Sequence, residues 1–410
     1  MKEFRYEKID MTSYQMALDN DFKVIVTPTK SDKVTIAINV GKGTYLQDEF
    51  RIGNQLIARG TASYLQHSLL NCPAEEAKPL FEKGVKNVSK AYESYTLYAF
   101  ETKKDKYLDL IHPLMALVNR FELDNDNIEK IKKDYVELAE KEMKKGYVQE
   151  RNALFVDSPL KENLYGDEKT IKTIHINTLK KFFNEYYRPE NLTLLVTGNV
   201  DQAKIEEKVR EFNFSRPIAK RETVTFAPVN ENFDALNDMR VLYNKKKNVV
   251  NLCIKFQKRE TLVNDFGGYI FANYYLLKDL LFTFDNSQFA SICKHCEDVT
   301  DVKVYEASEE TYLSAKFKAT DVDALTTELK QFLNLGKKMI KMSEFRRLRK
   351  QGYLRLKKDT EDSTKYLYSV ANALANSYLY LTVLNFAKKL QLKKAHKFAT
   401  RLSSFKKVIY

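Results

Sequence analysis

The 410-residue chain predicts an α+β fold of two tandem homologous repeats, each an antiparallel-rich sheet with helices packed on one side. Three observations carry this. Two β-branched runs separated by a short polar turn open each half: FKVIVTPT (22–29) with KVTIAINVG (33–41), then RVLYNK (240–245) with NVVNLCIKF (248–256). A helix, an alternating strand, several more helices and a closing strand follow in the same order in both halves. A polar stretch holding Pro217 and Pro228 lies between them. The repeat is therefore ββ-α-β-ααα-β, and it rests on element order alone.

Taken in order, the first half predicts a helix from about Ile52 to Leu70 after the strand pair. KAYESYTLYAFET (90–102) alternates and is rich in aromatics, hence one strand. Helices follow around 106–120 and 125–145, the second opened by Asp and Asn cap candidates. A helix near 176–187 and the strand NLTLLVTGNV (191–200) close the half. In the second half, Gly267 to Phe282 reads as a buried helix and YEASEETYLSAKFKAT (305–320) as a hairpin or long strand. Helices are expected near 321–338, 342–358, 363–380 and 387–400, with FKKVIY (405–410) as the last strand. This gives domains at 1–212 and 236–410 with a linker at 213–235.

The composition bounds function without naming it. Hydrophobic residues at 44% and aromatics at 12% suffice for sizeable cores, which excludes wholesale disorder. No apolar run approaches the ~18 residues of a membrane span. The charged opening MKEFRYEKIDMTSYQMALDN predicts neither a secretory signal nor a transit peptide. With only four cysteines, which fits a reducing compartment, the expected location is cytoplasmic.

The net charge of +13 favours acidic partners, against the bland reading of a lysine-rich surface. FRRLRKQGYLRLKKD (345–359) clusters seven basic residues. A solvated face is the first reading there, an acidic protein partner the second and nucleic acid the last. Cys293-Lys-His-Cys296 lacks a second ligand pair for zinc and a thioredoxin-like context for redox work, so ordinary cysteines are expected. DFGG (265–268) is a turn, and no phosphate-loop string occurs.

One helix carries the sharper signal. In GTASYLQHSLL (60–70), Ser63, Gln66 and His67 share a face at i, i+3 and i+4. Gly60-Thr-Ala-Ser-Tyr-Leu-Gln-His67 resembles the G-x-A-H-F-L-E-H string of the pitrilysin, insulinase and mitochondrial-processing-peptidase family, the inverted HxxEH zinc peptidases. GVKNVSKAYESYTLYAF (84–100) resembles that family's substrate strand, and YYRPENLTLLVTGNVD (186–201) its domain ending, preceded by a matching stretch at 164–183. The resemblance covers most of 20–201 and is topological in 240–410. It implies a fold forming half of a peptidase chamber.

The departures decide the expected activity. Active members bind zinc through both histidines, and the glutamate activates the metal-bound water. Here the positions hold Ser63, a poor zinc ligand, Gln66, which accepts no proton at useful pH, and His67. The resemblance puts the third ligand on Glu129-Lys-Ile-Lys-Lys-Asp-Tyr-Val-Glu-Leu138. Ungapped, it falls on Leu138 with the supporting position at Ile131, and a one-residue slip restores Glu137. No catalytic residue is expected, and His67 and Glu137 are residual metal candidates. Val88, Ala91 and Lys294 stand at eroded substrate-contact positions.

The resemblance therefore implies a non-catalytic subunit, a pseudoenzyme without zinc of its own. It would pair as a heterodimer with an active, zinc-bearing HxxEH subunit and help bind peptide. Alternatives are a weakly active zinc peptidase, a structural scaffold and a basic nucleic-acid-binding protein on the same fold.

Overall fold

The structure is a computed structural model that describes residues 1–47, 49–155, 163–214, 221–226, 238–257, 280–283, 286–307, 310–375, 380–388, 390–404 and 406–409. The chain divides into two compact units. One comprises Met1–Val148, Ser158–Val229 and Asp359–Ala375; the other comprises Gln149–Asp157, Asn230–Lys358 and Asn376–Tyr410.

The first unit holds strands β1 (Lys2–Tyr6), β2 (Met11–Ala17), β3 (Lys23–Pro28), β4 (Lys33–Val40), β5 (Arg51–Ile52) and β6 (Gln55–Leu56). Helix α1 (Thr61–Asn71) leads to β7 (Lys86–Asn87), β8 (Lys90–Ala91) and β9 (Thr96–Lys103). Helices α2 (Ile111–Asn119), α3 (Asn125–Met143), α4 (Gly146–Leu154), α5 (Glu168–Lys172) and α6 (Ile176–Tyr186) follow, then β10 (Leu192–Gly198), α7 (Gln202–Glu211) and β11 (Val224–Thr225). The main sheet runs β1-β2-β3-β10-β4-β9-β7, with β8 also on β9. Strand β10 lies parallel to β3 and antiparallel to β4, so the two opening strands are separated by the closing one.

Alternation explains the packing. Val34, Ile36, Ile38 and Val40 of β4 point into a core shared with Leu65 and Leu69 of α1, Leu114 and Val118 of α2, Phe183 of α6 and Val209 of α7. The intervening Thr35, Ala37 and Asn39 are buried as well, because the other face is covered by residues 363–375. Thr35 Oγ1 lies 2.9 Å from Ser363 Oγ, and Thr364 Oγ1 donates to Glu101 Oε2 at 2.8 Å.

The second unit contains β12 (Asp238–Asn244), β13 (Val249–Gln257), α8 (Ser287–Ile292), β14 (Cys296–Ala307) and β15 (Glu310–Ala319). After these come α9 (Val322–Asn334), α10 (Met342–Asp359), α11 (Ser363–Ala375), α12 (Tyr380–Ala387), α13 (Leu392–Ser404) and β16 (Lys406–Ile409). Of these, α11 is the helix that belongs to the first unit. The sheet order is β14-β15-β13-β12-β16, so here the opening pair stays together and the closing strand sits parallel at the edge. Val250, Leu252 and Ile254 face a core built around Phe282, Phe289, Phe317 and Phe332. The opposite face is polar: Ser314 bonds Asn251 at 3.1 Å, and Lys316 Nζ pairs with the buried Glu150 Oε1 at 2.7 Å. Phe155 packs there against Tyr312 and under Lys255.

Several expectations need correction. The helix predicted from Ile52 begins only at Thr61, since 51–56 form the β5–β6 hairpin, on which β11 pairs from within the expected linker. The strand predicted over 90–102 is two strands, because Tyr92 N–H donates to Tyr95 C=O in a turn and the two rings stack. The hairpin at 305–320 starts earlier, at Cys296. Helix 387–400 is displaced to Leu392–Ser404, with α12 before it. Most of the helix expected at Gly267–Phe282, the DFGG stretch and the end of 363–380 lie outside the described residues. None of the described helices is long and apolar enough to cross a membrane.

Candidate functional site

Helix α1 positions the motif. It starts at Gly60, whose φ of 90° is open to glycine, and an added Cβ would stand 2.4 Å from the Tyr165 carbonyl oxygen. That close approach delivers the Tyr165 carbonyl to the motif.

Ser63 is buried, with its hydroxyl oxygen 3.2 Å from the Gly60 carbonyl oxygen. The same hydroxyl makes a short hydrogen bond with the hydroxyl of Tyr135 on α3. Tyr135 is fully buried and donates to Tyr165 C=O at 2.7 Å. Gln66 is buried and turns away, donating from Nε2 to Leu97 C=O on β9 at 2.9 Å. Tyr64 stacks on Tyr135 at 4.8 Å and donates to Ile128 C=O at 2.6 Å. His67 is half-buried, its ring 5.5 Å from that of Tyr135. Burial lowers its pKa below the ordinary histidine value, and Asp134 partly opposes this. Burial likewise pushes the Tyr135 phenol up, so it remains a neutral donor.

On α3, Glu137 and Leu138 are both exposed. Glu137 lies roughly 200° round the helix from Tyr135, whereas Leu138, three residues on, shares the Tyr135 side. Ile131 is buried one turn before Tyr135. The carboxylate that shares the Tyr135 side is Glu142, seven residues on, buried and paired with Lys145. Reading the motif alone missed both Tyr135 and Glu142. The signal that could have found them is the buried heptad step along α3, anchored on Ile128, Tyr135 and Glu142.

The donor set does not suit zinc. Among the described residues no three His, Cys, Asp or Glu side chains converge to hold a metal ion. At the motif a phenol and an amide spend their polar atoms on protein partners.

Val88 and Ala91 flank the sheet's outer strands, and both main-chain carbonyls are taken: Tyr368 donates to Val88 and Tyr165 to Ala91. Lys294 is exposed in the second unit, in the turn between α8 and β14. Beside it, Cys293 and Cys296 are buried free thiols, the latter pushed up to about 12 chiefly by burial. His295 Nδ1 sits 2.8 Å from Glu328 Oε1.

Fold and site together give a chain of two sheet-and-helix units in which Ser63 and Gln66 are buried and bonded to protein groups. Residues 173–351 match the family model described as the Peptidase M16 inactive domain. The mitochondrial-processing peptidase subunit beta of Dictyostelium discoideum is 22% identical over 218 residues, 50% of this chain and 45% of that protein. The zinc protease YmfH of Bacillus subtilis is 21% identical over 243 residues, 56% of each chain. The chain thus spans about half the length of these curated relatives. Among solved structures, an M16-like peptidase from Alicyclobacillus acidocaldarius superposes with a TM-score of 0.78 at 16% identity, covering 95% of both chains. The first half of the periplasmic protease PqqL from Escherichia coli gives 0.72 at 15% identity, covering 95% of this chain and 89% of that one. Residues 173–351 thus carry the match to the M16 inactive domain, and the chain has the fold of one half of such an enzyme.

Proposed function

We propose that the chain is the non-catalytic subunit of a two-subunit zinc metallopeptidase. It pairs with an HxxEH-bearing homologue that holds the zinc, and supplies wall and peptide contacts to the substrate chamber. The observation that carries this reading is the buried Ser63–Tyr135–Tyr165 hydrogen-bond network, where a zinc helix would present its first ligand to the metal. Gln66 supports it, because its amide is committed to a backbone carbonyl and cannot act as a base. The family match to an inactive domain and the half-enzyme coverage support a partnered role. Four free cysteines accord with a reducing compartment, and we place the complex in the cytoplasm.

Peptide would meet this subunit along the outer strands near Val88 and Ala91 and at Lys294. The test is zinc content and peptidase activity of the chain alone and co-expressed with an HxxEH homologue from the same genome. A metal-free, inert chain that co-purifies with the homologue and raises its activity is the expected result. Near-stoichiometric zinc and chelator-sensitive cleavage by the lone chain would overturn the reading.

A further inference from the structure

Helix α10 carries a surface that the peptidase reading leaves unused. Its buried side holds Phe345, Leu348, Tyr353 and Leu356. At about 100° per residue, Arg346, Arg347, Lys350, Leu354 and Lys358 fall within about 120° of the circumference on the opposite side. All five are exposed, Leu354 by 50%. Leu354 thus stands among four cations.

The two acids of the helix are elsewhere. Glu344 is half-buried and accepts the Ser287 N–H at 3.1 Å, and Asp359 is half-buried on the far side. Among the described residues no carboxylate pairs with Arg346, Lys350 or Lys358. Arg349, off this face, is committed to the Leu390 carbonyl at 2.8 Å and lies against Phe345. Isolated surface charges matter little, but a group of like charges, of which Arg346, Lys350 and Lys358 have no paired carboxylate among the described residues, builds a field on a chain of net charge +13 that steers and orients a partner.

We propose that this face of α10 docks an acidic amphipathic helix of a protein partner, with Leu354 meeting an apolar side chain and the surrounding cations meeting carboxylates. Residues four apart rise about 6 Å, so i,i+4 rows of carboxylates on a second helix fall into step with Arg346, Lys350, Leu354 and Lys358. Nucleic acid suits the face less well, since it offers no aromatic side chain for stacking and sets a leucine where phosphates would lie. An anionic membrane suits it less well too, because one leucine among four cations gives little to insert.

The probe is a synthetic three-heptad helical peptide with glutamates in i,i+4 rows around a leucine stripe, titrated onto the full chain by fluorescence anisotropy. Arg346→Glu/Lys350→Glu should weaken binding at least about tenfold, and Leu354→Ser about threefold. Lys83→Glu/Lys104→Glu, an equal charge change at exposed lysines in the first unit, should weaken it much less. Thermal unfolding checks each variant, and Arg346→Gln/Lys350→Gln replaces any that fails to fold. Equal losses from the two charge-reversed pairs, or no effect of Leu354→Ser, overturn the proposal. So does a DNA duplex or a phosphatidylserine vesicle that binds more tightly than the peptide at the same salt and is released by Arg346→Glu/Lys350→Glu.

Discussion

Gln66→Glu restores the general base of the motif in sequence and should damage the protein in a pH-dependent way. The amide Nε2 donates to the Leu97 carbonyl at 2.9 Å from a side chain only 6% exposed. A carboxylate at that place sets two oxygens against each other, whereas the protonated acid can still donate. The folded-state pKa of the new group therefore rises, by about 3 units for this degree of burial. At about 1.4 kcal/mol per unit the cost approaches ~4 kcal/mol once the group must ionise. The folded state binds the proton more tightly, so stability is fully retained below the unfolded value near 4.3 and is lost as pH rises through the folded one. At about 2–4 °C per kcal/mol, the variant should melt near the parent at about pH 4.5 and roughly 8–16 °C below it at about pH 8.5. Adding Ser63→His completes the motif, but the imidazole must displace the Tyr135 phenol. It should cost a further ~1–3 kcal/mol from overpacking and bind no stoichiometric zinc. Equal melting offsets at the two pH values, or chelator-sensitive zinc in the double variant, would refute the reasoning.

Three further outcomes follow from the same geometry. Tyr135→Phe removes the donor to Tyr165 C=O and the partner of Ser63, and should destabilise by ~1–3 kcal/mol in urea unfolding, with no gain of zinc; an unchanged midpoint counts against the network. His67 has a lowered folded pKa, so the stability it leaves intact above the unfolded value of about 6.5 is lost as pH falls through the folded value. His67→Gln should flatten that part of the pH–stability curve, and an unaltered slope would locate the acid sensitivity elsewhere. Burial raises all four thiols, but Cys253, Cys293 and Cys296 are buried while Cys72 is half-buried, so iodoacetamide at about pH 8 should modify Cys72 first and leave the other three until the chain unfolds. Peptide mass spectrometry showing early labelling at Cys293 or Cys296 would revive a redox role for that pair.

Much of the architecture was legible because it rests on alternation and caps. Strands β4 and β10 and helices α3 and α9 stand where apolar periodicity and acidic caps place them, with Asp124 and Asp321 accepting N–H groups at the helix starts. What escaped was set by partners distant in sequence. Strands β1 and β2 carry mixed polar residues and exist because they extend the sheet from β3. Strand β5 is two residues held by β6 and β11. The different placement of β10 and β16 next to their opening strands has no local signal at all. At the site, the sequence itself shows Ser63 and Gln66 where the resembling string has His and Glu. Their new partners, a tyrosine on α3 and a backbone carbonyl on β9, follow only from how the helix packs.

Those partners bear on how the helix keeps the fold without a metal ion. A metal site leaves buried polar groups that depend on the ion, so removing the ion normally strands them at a cost of several kcal/mol. Along α1 the buried polar side chains bond to protein: Ser63 with Tyr135, Tyr64 with Ile128, Gln66 with Leu97, and Ser68 with Tyr64 C=O. The helix that would have carried chemistry now ties α3 to β9 as a structural element. On α10, Arg346, Lys350 and Lys358 are exposed with no paired carboxylate among the described residues. On the proposed reading, the informative mutations lie on surfaces that meet other molecules, while those at Ser63 and Gln66 report on stability.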